Sequence, residues 1–111
     1  MRQLARRSQL WPSVALASAV AIGPASAGEV NADAARLANL VRQDCGSCHG
    51  MRLTGGLGPA LTREALAGKP ADSLAATIFH GRPGTPMPGW RTMLTEEEAR
   101  WIADALIAGL P

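Results

Sequence analysis

Cys45-Gly46-Ser47-Cys48-His49 constrains this chain more than any other feature, because it uses both of the cysteines in 111 residues. Two thiols three residues apart, followed at once by an imidazole, make the pattern that attaches haem c. The thiols of Cys45 and Cys48 add to the two vinyl groups, and His49 is carried beneath the iron. Two cysteines are too few for a disulfide framework. Two rival chemistries use the same pair. A redox dithiol of the thioredoxin type belongs in a βαβ pattern, which this sequence lacks, and a zinc site would need His49 and His80 to complete four ligands.

The occupant of the sixth iron position separates electron transfer from ligand chemistry. Candidates are Met51, Met87, Met93 and His80. Met51 follows His49 by two residues and cannot reach the opposite haem face. Met87 lies within Pro86-Met87-Pro88, where the prolines stiffen the backbone and present a soft thioether from a loop. The alternative for Met87 is a buried gap-filler. Met93 reads as an apolar contact ahead of the last helix. His80 reads as the end of a helix, where a partly charged imidazole suits the negative terminus; as a ligand it would give a bis-histidine haem of lower potential.

The chain opens with Arg2, Arg6 and Arg7, continues as an apolar or small run from Leu10 to Ile22, and closes on Ala25-Ser26-Ala27. Those are the three parts of a secretory signal, with cleavage expected between Ala27 and Gly28. The run is shorter than the roughly 20 residues a spanning helix needs, so no membrane anchor is expected in the mature form. Arg6-Arg7 invites a twin-arginine reading, but the residues after it fit ordinary secretion better. The expected division is a leader over 1–27 and one domain over 28–111, monomeric and periplasmic.

Removing the leader changes the charge argument. The whole chain carries 11 Lys+Arg against 9 Asp+Glu, a formal +2. The leader holds three of those arginines and no acid, which leaves the mature chain at −1 and removes any case for nucleic-acid or acidic-membrane binding. One Phe, three Trp and no Tyr leave little large apolar material for a core, a shortage a haem would meet.

Helical spacing runs from Ala32 to about Asp44, with Ala34, Leu37, Ala38 and Val41 on one face, and predicts a helix ending near Cys45. Gly46 to Pro59 is rich in glycine and reads as loop. Ala71 to His80 predicts a second helix, with Leu74, Ala75, Ile78 and Phe79 together. Gly81 to Trp90, crowded with glycine and proline, reads as a stiff wrapped loop. Thr95-Glu96-Glu97-Glu98 is a capping box, followed by Ala99, Trp101, Ile102, Ala105, Leu106 and Gly109 on one face. The fold class is all-α, with three to four short helices around the haem. No Ser/His/Asp set, paired-carboxylate site or phosphate loop can be assembled, so an electron carrier is expected rather than an enzyme.

With those residues in hand, the chain resembles the class I monohaem cytochromes c over nearly all of residues 32–111. The likeness rests on Cys45-Gly46-Ser47-Cys48-His49-Gly50, Gly58-Pro59-Ala60-Leu61, Met87-Pro88-Gly89-Trp90 and Leu94-Thr95-Glu96-Glu97-Glu98. The resemblance implies that the first and last helices cross beside the haem, with Leu37, Ala38 and Val41 against Trp101, Ile102 and Ala105. It implies too that the Pro59 carbonyl accepts a hydrogen bond from the second nitrogen of His49, and that His49 and Met87 are the axial ligands.

The stretches Gly55 to Thr62, Glu64 to Pro70 and His80 to Pro88 are similar to a narrower group, the small periplasmic cytochromes c encoded beside haem-c/haem-d nitrite reductase in denitrification clusters. That likeness implies electron delivery to nitrite reductase from an upstream quinol-derived donor, or a part in maturing its haem d. A ligand-binding sensor or enzyme in which Met87 dissociates is the reading from a different class. Partners are expected around the loops Met51 to Leu57 and Pro83 to Trp90, where Arg82 and Arg91 would meet a haem propionate, an acidic partner or solvent.

Overall fold

The computed structural model describes residue 23 and residues 27–110; the expected leader lies outside them apart from Gly23 and Ala27. Helix α1 runs Ala27–Leu40 and passes into a π-helical turn, Val41–Cys45, then a single turn, α2, Gly46–His49. Helices α3 (Ala71–His80) and α4 (Glu96–Ala108) follow, and no strand occurs among the described residues.

Leu37, Ala38 and Val41 are buried, as their spacing predicts, while Ala34 is half-buried. The expected end of this helix at Cys45 is corrected. Helical backbone continues to His49 because the Gly46 N–H reaches back to the Val41 carbonyl, widening one turn without breaking the chain of hydrogen bonds. Gly46 is itself buried there.

Helix α3 spans the residues its spacing predicts and buries Ile78. Helix α4 starts at the expected capping box: Glu98 N–H donates to Thr95 Oγ1 at 3.1 Å and Thr95 N–H donates to Glu98 Oε2 at 2.8 Å. Its buried face is Ala99, Ile102, Ala103 and Leu106. Trp101 and Ala105, expected at the centre of the contact with α1, stand half-buried on its flank. Ala103, which the spacing did not single out, is fully buried on that face instead.

One apolar cluster joins Leu37 and Val41 to this face and takes in Leu53, Leu66, Ile78 and Leu94 from the connections. The closest helix pairing is α3 against α4, with α1 also touching α4. Arg36 of α1 pairs with Glu98, and Arg100 of α4 pairs with Asp72 of α3 and, at 3.1 Å, with Asp104. These exposed pairs contribute little stability beside the apolar contacts.

Candidate haem site

Helical backbone through the Cys-x-x-Cys-His segment decides the geometry of the site. Residues three and four apart in a helix share a face, so Cys45, Cys48 and His49 project from one side of a single turn. A loop would not hold them together. Cys45 is half-buried and Cys48 exposed, and neither is in a disulfide. Before haem is attached, burial, with the neighbouring Asp44 charge, pushes the Cys45 thiol up to about 11.

The short helix ends at Gly50, whose φ of 90° turns the chain into the loop. That loop then folds back to satisfy the helix end. Gly58 N–H donates to the Cys48 carbonyl at 2.9 Å, and Gly55 N–H donates to the His49 carbonyl at 2.8 Å. Gly58 lies flat against the His49 ring, where a Cβ would come within 2.7 Å of Nδ1 and Cε1. The next residue supplies the orienting contact: His49 Nδ1 and the Pro59 carbonyl are 2.7 Å apart. A carbonyl only accepts, so Nδ1 carries a proton, and in the neutral ring it is Nε2 that holds the lone pair. Among the described residues Nε2 makes no hydrogen bond.

Met87 comes from the loop between α3 and α4 and is half-buried against the core. The neck of that loop is pinned twice, by Trp90 N–H to the Ile78 carbonyl at 3.0 Å and by Arg82 N–H to the Met87 carbonyl at 3.3 Å. Around the core, Leu61, Leu74, Phe79, Met87, Trp90 and Trp101 each bury only part of their apolar surface. Two adjacent thiols, an oriented imidazole with a free lone pair, a thioether and a fringe of half-covered apolar side chains fit a haem c by the chemistry of their donor set.

The rival ligands fare differently. Met51 is 64% exposed and folds over Gly46, its Sδ 3.6 Å from where a Cβ there would stand. Met93, expected as an apolar contact, is 57% exposed; the next residue, Leu94, is the one buried, at 4%. His80 is exposed at the end of α3, edge-on to Phe79, and lines a shallow cavity of about 280 Å³ with Asp72, Glu96 and Arg100. Neither cysteine, nor His49 or Met87, borders that cavity. Among the described residues no cluster of three or more His, Cys, Asp or Glu side chains is placed to hold a metal ion. Arg82 and Arg91 are exposed.

The sequence matches, over residues 32–104, the family described as cytochrome c oxidase, cbb3-type, subunit III. Cytochrome c55X of Stutzerimonas stutzeri is 57% identical over 93 residues, covering 84% of this chain and 78% of its own. The chain belongs to the cytochrome c55X family. Its haem c is covalently bound, and it is an electron carrier rather than an enzyme. The solved structure of a c-type cytochrome NirC, 57% identical, superposes with a TM-score of 0.67 over 75% of this chain and 93% of that one. Dihydro-heme d1 dehydrogenase of Pseudomonas aeruginosa is 42% identical over 78% of this chain, a stretch that makes up 16% of that protein.

Proposed function

We propose that this cytochrome works in the periplasm as a one-electron donor to haem-containing nitrite reductase. In this reading Cys45 and Cys48 hold the haem and His49 and Met87 are its axial ligands. Cleavage after Ala27 leaves residues 28–111 as the working domain. The observation that supports the ligand assignment is the 2.7 Å contact between His49 Nδ1 and the Pro59 carbonyl, which occupies one ring nitrogen and leaves Nε2 as the available donor.

When bound, the haem supplies a one-electron couple at iron. The polypeptide sets where that couple sits. The Pro59 carbonyl draws on the Nδ1 proton and makes His49 a stronger donor, while a thioether at Met87 favours the reduced state and raises the potential. Were His49 and Met87 both to ligate the iron, no position would be left on it for a substrate. Electrons then pass through an encounter complex of small area. Rapid mixing of the reduced protein with nitrite reductase tests the assignment: oxidation of the cytochrome within a turnover supports it, and oxidation slower than turnover refutes it.

A second reading, a part in maturing the haem d of nitrite reductase, is supported by the similarity to dihydro-heme d1 dehydrogenase. Deleting the gene separates the two. Nitrite reductase without haem d favours maturation, and haem d-replete enzyme that is starved of electrons favours the carrier.

A further inference from the structure

The loop that carries Met87 is closed by two glycines, each packed on the backbone of the segment that holds the other. A Cβ on Gly81 would stand 2.5 Å from the Gly89 nitrogen, 2.7 Å from the Pro88 carbonyl carbon and 2.9 Å from the Met87 oxygen. A Cβ on Gly89 would stand 2.8 Å from the carbonyl carbon and oxygen of His80 and 2.9 Å from the Phe79 oxygen. All six atoms are backbone, which cannot swing aside as a side-chain tip can. Gly81 also has φ 75° and ψ −172°, a region that only glycine occupies without strain. The crossing therefore excludes side chains from both partners, and the segment Met87 to Gly89 lies in backbone contact with the end of α3.

We infer that Gly81 and Gly89 are positioning residues for the Met87 sulfur, their backbone crossing fixing how far the Met87 segment stands from helix α3. This rests on the reading of Met87 as an iron ligand. Gly89 is two residues from Met87, and Pro88 between them has a fixed φ, so a displacement at Gly89 is passed on to Met87 rather than absorbed. The neck hydrogen bonds from Trp90 to Ile78 and from Arg82 to Met87 bracket the crossing and keep it closed. Gly84, at the loop tip, provides the contrast. Its φ is 77°, yet nothing lies within 4 Å of a Cβ there, so a side chain at Gly84 brings backbone strain without the crossing clash.

The test compares Gly89→Ala with Gly84→Ala and Met87→Ala in the holoprotein, reading the near-infrared sulfur-to-iron band of the oxidised form and the affinity for imidazole as a competing ligand. Gly89→Ala is expected to weaken the band and tighten imidazole binding by about tenfold or more, the scale of an overpacked contact. Gly84→Ala is expected to keep the band and the unaltered protein's imidazole affinity even if its melting temperature falls. A Gly89→Ala band and imidazole affinity equal to those of the unaltered protein overturn the inference while leaving Met87 as ligand. A band absent from the unaltered protein, or kept in Met87→Ala, overturns the ligand reading and this inference with it. Amide exchange in the unaltered protein reads the neck without a substitution: displacing the sulfur with imidazole is expected to speed exchange at both Arg82 and Trp90. Unchanged protection at both amides overturns the inference.

Discussion

Gly58 and Pro59 together hold His49. The glycine lets the loop lie against the ring, and the proline carbonyl fixes which ring nitrogen keeps its proton. Gly58→Ala would set a methyl group 2.7 Å from two ring atoms, and a ring held at Nδ1 by Pro59, and in the proposed reading at Nε2 by iron, cannot tilt away cheaply. The holoprotein is expected to lose about 1–3 kcal/mol, the usual range for overpacking. Denaturant unfolding of the holoprotein measures it, and an unchanged midpoint would show that the ring has room. Pro59 was expected from family resemblance alone, and Gly58 was noted only as part of the same motif. A glycine in a sequence says that no Cβ is present, not what lies opposite.

At the scale of elements, α4 depends on Glu98 more than its sequence suggests. One carboxylate oxygen completes the capping box with Thr95 and the other pairs with Arg36 of α1, so the same side chain starts one helix and ties it to another. Thr95→Ala removes the accepting hydroxyl and is expected to cost about 1 kcal/mol in thermal unfolding. The bond from the Thr95 backbone N–H, opposed in part by desolvation and aided by Arg36, holds the Glu98 carboxyl below its ordinary 4.5. The folded state thus binds fewer protons than the unfolded one in that range. Glu98 therefore stabilises the fold above its ordinary value, and the contribution is lost as pH falls through the folded value. A Glu98→Gln variant is expected to melt below the unaltered protein at pH 7 and to converge with it as the pH falls below 4.5 through the folded value. A gap that persists at acid pH would show that charge is not its source. The capping box is legible because its partners are three residues apart; Arg36 is not, because it is 62 positions away.

Across the described residues, the apolar interior is thin and incompletely covered. Val41 and Ile102 are the largest side chains buried almost completely, and the larger Trp90, Trp101 and Phe79 cover only part of their surface. A core of that size supplies few kcal/mol against the conformational entropy of the chain, so the covalent haem belongs to the stability of the fold as well as to its redox chemistry. A Cys45→Ala, Cys48→Ala protein without haem is expected to be largely unfolded. Far-ultraviolet circular dichroism on heating tests this, and a cooperative transition would refute it. The exposed Met51 and Leu57, the latter 93% exposed, lie on the loop that follows the haem motif, where partners are expected to meet the molecule.

Whatever depends on residues close in sequence was legible in the sequence alone: the Cys-x-x-Cys-His motif, the cap at Thr95, the span of α3 and the start of α4, and the place of Met87 between prolines. The tertiary structure decided what depends on which distant groups come into contact. The glycines of residues 46–59 suggested that helix α1 stops at Cys45, yet a π-helical turn carries it on to His49, because Gly46 finds the Val41 carbonyl and the returning loop takes up the carbonyls of Cys48 and His49. Ala103 buried on α4 where Trp101 and Ala105 were expected, Leu94 buried where Met93 was expected, and the crossing of Gly81 with Gly89 follow the same rule. Composition shows which side chains are small or apolar, but only packing shows which backbone stands opposite them.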